Sequence, residues 1–175
     1  EEREAQLAAI AAATEEWEEI GVPLFENVLA ALSGAMADLP ELLADPSLIS
    51  IVDGGLEVRL SDTAFNAFLQ QRDPIFNTFV FRFGPDGLTV SGEAEERPAS
   101  LSGMYELRNE PENALHFVIS SIVFNGAELP DTTKKAMQEQ YDLTFEPGNL
   151  VSGLTVTDLI HEDGVLRVKV ALSLF

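Results

Sequence analysis

LHFVISSIVFNGAELPDTTKKAMQEQY, residues 115–141, joins a strand to a helix and anchors the rest of the chain's organisation. Its first ten residues are strongly apolar and have strand composition. They end at Asn125-Gly126, a dipeptide suited to the positive φ of a tight turn. Leu129-Pro130 then opens a polar, helix-forming run to Tyr141. A hairpin over residues 154–175 follows, turned by Glu162-Asp163-Gly164. In it Leu166, Val168, Val170, Leu172 and Leu174 line one face, and Arg167 and Lys169 the other.

Working back from that stretch, residues 101–107 read as a strand and residues 109–113 as a turn. EAEERPAS (93–100) is polar and holds Pro98, so it reads as a loop or irregular edge. Residues 76–94 form the clearest hairpin. Phe79, Phe81 and Phe83 point one way and Val80 and Arg82 the other, with Pro85-Asp86-Gly87 as the turn. Residues 63–71 read as a short helix capped by Ser61 or Asp62, with Phe65, Phe68 and Leu69 on one face. Residues 48–60 read as a hairpin around Asp53-Gly54-Gly55, with Leu56, Val58 and Leu60 alternating against Glu57 and Arg59. Residues 1–39 read as two helices. Leu7, Ile10, Trp17 and Ile20 mark the first, Gly21-Val22-Pro23 breaks it, and Leu24, Val28, Leu29, Leu32 and Met36 mark the second, which Pro40 and Pro46 end.

Together these segments predict an α+β fold. A curved antiparallel sheet of about seven or eight strands, a hairpin meander, packs on helices. An acidic helical region (1–47) precedes the sheet-plus-helix domain (48–175), and the two form one compact unit. Regular βαβ alternation is absent, which argues against a parallel sheet.

The chain has 175 residues, with 30 Asp and Glu against 10 Lys and Arg, for a net charge of −20. Such a surface repels nucleic acid and anionic lipid at long range, so no nucleic-acid partner is expected. It reads first as a solvated acidic surface with no specific partner, and alternatively as suited to a cationic partner or a high-salt setting. The N-terminal helix reads as cover for the sheet, because a membrane-surface helix carries Lys and Arg where this one carries Glu. With no Cys, disulfides, thiolate metal sites and Cys nucleophiles are excluded. No apolar run is long enough to span a bilayer. The chain begins at Glu1, and a signal or lipoprotein leader ahead of it is an expectation.

Catalytic chemistry has little to work with. His116 sits in the apolar strand, on the other face from Leu115 and Phe117, and reads as a surface or hydrogen-bonded histidine. Asp158, His161, Glu162 and Asp163 share one turn without metal-ligand spacing, so no metal is expected. Ser61, Ser100 and Ser102 lack a nucleophile elbow and a base. Glu93 and Glu95 read as an acidic loop rather than an acid–base pair. No phosphate-binding glycine motif occurs, and no cofactor is expected. What remains is an abundance of phenylalanine. Phe65, Phe68, Phe76, Phe79, Phe81, Phe83, Phe117, Phe124 and Phe145 read first as a packed core, and alternatively as the lining of an apolar groove for an acyl chain.

The order of motifs adds a family resemblance. LEVRLSDTAFNAFLQQ leads into FVFRFGPDGLTVSGEAE, then SIVFNGAELP, then TTKKAMQEQY, then LTVTDLIHEDGVLRVKVAL. The shared features are a strand, S/T-D/E, short-helix start, a Gly-x-x-Leu-Pro step at Gly126, Leu129 and Pro130, and a terminal pattern at Val156, Thr157, Asp163, Gly164 and Leu166. Over roughly residues 50–175 this resembles bacterial extracytoplasmic families related to mycobacterial LmeA-type proteins and small Gram-positive lipoproteins, which are similar to the tubular lipid-binding (TULIP-like) superfamily. The resemblance implies a non-enzymatic, extracytoplasmic protein, secreted or membrane-tethered. It would hold a lipid or similar apolar ligand between curved sheet and helix, with Phe65, Phe68, Phe79, Phe81, Phe117 and Phe124 as lining. Two features stand outside the pattern. The region 1–47 is not part of it, which leaves open a stalk after a membrane anchor, and the domain is short for a full lipid tube, which leaves open a half-module that dimerises or a compact relative without a cavity. The alternative function is an interaction module of the cell envelope with a closed core.

Overall fold

The structure is a computed structural model that describes residues 2–52, 55–141 and 143–172. The expected Asp53-Gly54 turn and the expected inward Leu174 lie outside the described residues. The N-terminal region is one helical run: α1 (Glu2–Glu16), a π-helical turn (Trp17–Gly21) and α2 (Val22–Met36). The break expected at Gly21-Val22-Pro23 is thus a change of helix type. Pro23 has no N–H to give to the carbonyl four residues back. Val22 N–H instead reaches five residues back to the Trp17 carbonyl, and the π turn absorbs the mismatch. Gly21 is needed for space, since a Cβ there would run into the Trp17 ring. Pro40 and Pro46 open the next short helices, α3 (Leu39–Leu43) and the 3-10 turn Pro46–Leu48, rather than merely ending α2. Leu7, expected on a covered face, is 57% exposed.

Ten strands follow: β1 (Ile49–Val52), β2 (Gly55–Ser61), β3 (Val80–Gly84), β4 (Gly87–Ala94), β5 (Arg97–Arg108), β6 (Ala114–Phe124), β7 (Ala127–Glu128), β8 (Thr144–Phe145), β9 (Leu154–Glu162) and β10 (Val165–Leu172). Helices α4 (Asp62–Gln70), α5 (Asp131–Gln140) and α6 (Pro147–Leu150) lie between them. The fold is α+β and the strand pairings are antiparallel. Eight of the ten strands have four residues or more, and β7 and β8 are two-residue additions to β6. They form two sheets rather than one: a four-stranded sheet in the order β1-β2-β10-β9, and a six-stranded sheet in which β3-β4-β5-β6-β7 are joined by β8 on β6.

The loop expected at 93–100 is instead the tight β4–β5 hairpin, with Ala94 paired to Arg97 and Glu93 to Pro98. Its turn residues Glu95 and Glu96 both take positive φ, 50° and 67°. That conformation is uncommon outside Gly and Asn, so composition does not announce the turn. The β6–β7 turn follows composition, with Asn125 at φ 52° and Gly126 at 82°.

Register along β6 shifts between Ser102/Ser121 and Gly103/Ile119, leaving Ser120 as an extra residue. Leu115, Phe117 and Ile119 are buried before this bulge, and Ile122 and Phe124 after it. Odd positions face inward before it and even positions after it, because one inserted residue inverts a period of two. The two sheets adjoin where β9 runs beside the C-terminal half of β5. There the Asn113 carboxamide bonds both backbone groups of Val156, at 2.8 and 2.9 Å. At their other meeting point Gly164 N–H donates to the Phe83 carbonyl at 2.8 Å.

Candidate functional site: an apolar cavity under the N-terminal helix

Between the helical run and the two sheets lies a cavity of about 720 Å³. Its roof is α2 and α3, which contribute Leu24, Val28, Leu29, Leu32, Met36 and Leu39. The inward faces of β2 and β10 form one wall, through Leu56, Val58 and Leu60 and through Leu166, Val168 and Val170. The six-stranded sheet forms the other, with Phe81, Leu88, Val90, Leu101 and Phe117 among its side chains. Among the described residues none that lines the cavity is charged, and the hydroxyls there are those of Ser33, Ser100, Tyr105 and Thr144.

Two packed cores border this space. One core joins Trp17 to Leu101, Phe117, Ile122, Phe124 and Met137. The other joins Val28 and Ala35 to Phe65, Phe68, Phe76, Phe81 and Phe83. Aromatic contacts hold both together: Trp17 meets Phe124 edge-on at 5.7 Å, and Phe65 meets Phe81 edge-on at 5.3 Å. Val58, Val168 and Val170 join neither core and are only half-buried, so the helix spans from one packed cluster to the other without closing on them.

The cavity has a direction. At the Leu60/Leu166 end these two side chains pack against the Phe65 and Phe83 cluster. At the other end, Ile51 pairs with Leu56, Leu56 with Val170, and Leu154 with Leu172, which places them on one face of the sheet. Ile51 is 88% exposed, Leu172 53%, and Leu56 40%, while Val151 beside them on the chain leading to β9 is 44% exposed. One end is plugged by phenylalanines, and the other carries an exposed aliphatic rim. From Leu166 to Leu172 the β10 wall runs about 20 Å.

Of the residues expected to line a groove, Phe65, Phe79, Phe81 and Phe117 do line the cavity. Phe68 and Phe124 lie in the packed cores, Phe68 beneath the Arg72 guanidinium at 3.8 Å and Phe124 against Trp17. Phe145 also lines the cavity. Sequence reasoning did not assign the α2 side chains or the β2 and β10 valines to the site. Their alternation and helical spacing were visible, but which apolar face stays unpacked is set by distant elements.

The polar groups play supporting roles. His116 Nδ1 lies 3.0 Å from Thr144 Oγ1. His161 Nε2 accepts from Tyr105 N–H at 3.4 Å, and burial holds this imidazole below its ordinary range. Among the described residues no group of three or more His, Asp or Glu is placed to hold a metal ion. Facing away from the cavity, buried Glu57 takes two hydrogen bonds from Arg167, at 3.1 and 2.8 Å, and Arg167 also bonds Glu162 at 2.6 Å. The Arg167 bonds hold the Glu57 carboxyl below its usual range, against the opposing effect of burial. The four-stranded sheet thus has an ion-paired outer face and an aliphatic inner one. Among the described residues no helix is long and apolar enough to cross a membrane. No protein-family model, curated protein or solved structure matches this chain.

Proposed function

We propose that this chain is a non-enzymatic binding protein that holds a lipid or similar apolar molecule between the four-stranded sheet and α2. The observation that carries this reading is the cavity itself, whose volume falls within the range of about 300–1,000 Å³ common for small-molecule sites. Its energetics point the same way. At about 24 cal/mol per Å³ of unfilled void, a sealed dry space of 720 Å³ would cost on the order of 17 kcal/mol. A whole domain has only about 5–15 kcal/mol of stability. A space of this kind therefore has to open to solvent or accept an occupant, and an apolar occupant gains the burial energy of both surfaces. An interaction module with a filled core, the competing reading, would leave no such room. The motif resemblance read over roughly residues 50–175, to extracytoplasmic families similar to the tubular lipid-binding superfamily, supports the same class of function and an extracytoplasmic location.

The test combines mass spectrometry of an organic extract from natively purified protein with titration of an uncharged fluorescent apolar probe. Val168→Trp and Val58→Trp each place an indole in the cavity. Both are expected to weaken probe binding by at least about tenfold while preserving the folded far-UV spectrum. A native chain that yields no stoichiometric apolar molecule and takes up no probe would refute the reading.

A further inference from the structure

The composition of the wall restricts the ligand further, given the binding reading above. A carboxylate or phosphate drawn into an apolar site needs a counter-charge or several donors, because an unpaired buried charge is far costlier than an unpaired neutral dipole. No lining residue supplies a counter-charge. Among the described residues the rim end supplies none from the strand positions on that face of the sheet, where Ile51, Leu56, Leu154, Val170 and Leu172 are all aliphatic. Beyond the rim, a protein with a net charge of −20 repels an anion at long range. What the wall does offer is hydroxyl groups. Tyr105 lines the cavity with its ring edge-on to Phe117 at 5.1 Å, and among the described residues nothing hydrogen-bonds its phenol oxygen. Burial pushes this phenol above its ordinary range, so it remains a neutral donor at mildly alkaline pH.

We propose that the ligand is an electrically neutral lipid, a long-chain alcohol or ester rather than a fatty acid or other anionic lipid. Its chain lies along the aliphatic wall of β2 and β10, and its neutral oxygen pairs with a wall hydroxyl such as that of Tyr105. Selectivity comes from what the site withholds: the same walls that welcome an alkyl chain leave a carboxylate without a partner.

Competition on the full chain at about pH 8 tests this, where a fatty acid is ionised. A medium-chain alcohol, its methyl ether and the carboxylate of equal chain length each displace the uncharged fluorescent probe. The alcohol and ether are expected to compete at least about tenfold better than the carboxylate. In Val168→Trp the difference should vanish together with probe binding. A carboxylate that competes as well as the alcohol overturns the neutral-ligand inference while leaving the binding function standing. A native chain that never binds the probe overturns both.

Discussion

At the scale of single residues, three side-chain carboxamides do the work of absent strands. Asn66 donates to the Phe81 carbonyl at 2.8 Å and accepts its N–H at 2.9 Å. Asn113 does the same for Val156, and Gln138 accepts from Ile119 N–H at 2.7 Å while donating to the Phe117 carbonyl at 2.8 Å. Each amide carries a donor and an acceptor in one plane, so it can satisfy an edge that a neighbouring strand would otherwise cover. Asn66→Ala strips both partners from Phe81, beside the plugged end of the cavity. It is expected to lower the unfolding free energy by about 1–3 kcal/mol in urea titrations. Exposed Asn77→Ala should stay within about 0.5 kcal/mol of the native chain. An Asn66→Ala effect no larger than that of Asn77→Ala would show that Phe81 finds other partners. The Ser61 cap, which accepts from Ala64 N–H at 3.1 Å, was legible because capping is local. Its neighbour Asp62 instead accepts from Phe83 N–H at 3.2 Å, a partner twenty-one residues away that no local pattern indicates.

At the scale of elements, the helix over the cavity is pinned by few polar contacts. Arg97 bonds Glu16 at 2.9 Å near the π turn, Arg72 bonds Glu41 at 2.8 Å beyond α2, and Tyr141 donates to Glu26 at 2.7 Å along α2 itself. The Tyr141 phenol is pushed up to about 12, first by burial and then by its bond to the Glu26 carboxylate. An ordinary phenol in the unfolded chain ionises near 10. Between these values the unfolded state holds fewer protons than the folded one, so stability falls as pH rises. The stabilisation is complete below about pH 10 and is lost as pH climbs through about 12. Tyr141→Phe should therefore show a shallower loss of stability than the native chain across that window. Parallel slopes for the two proteins would place the α2 anchor elsewhere. The β6 bulge teaches the same lesson about range. Phe117 and Phe124 lie on opposite faces of a regular strand, yet both are buried, because Ser120 inverts the alternation. The Ser120-Ser121 pair marks the place in the sequence, but the inversion is decided by pairing with β5.

For the whole molecule, charge and cavity dominate. With 30 acidic against 10 basic side chains, the folded state carries dense like-charge repulsion. Salt screens it, with the Debye length falling from about 30 Å at 0.01 M to about 3 Å at 1 M. The thermal midpoint is accordingly expected to rise with sodium chloride across that range. A falling midpoint would mean that the Arg167, Arg72 and Arg97 ion pairs outweigh the repulsion. Read alone, the chain specifies the antiparallel α+β class, the hairpins at Asp86-Gly87 and Asp163-Gly164, a cap at Ser61 or Asp62 and the acidic surface. These depend on interactions between residues close along the chain, where periodicity and turn chemistry are direct evidence. Only the tertiary structure decided that the strands divide into two sheets, that Phe68 and Phe124 pack solidly while Val58 and Val168 face open space, and that the rim lies at Ile51 and Leu172. A cavity is a separation between elements far apart in sequence. The alternation that makes a face apolar is the same whether that face meets a partner or stands away from one.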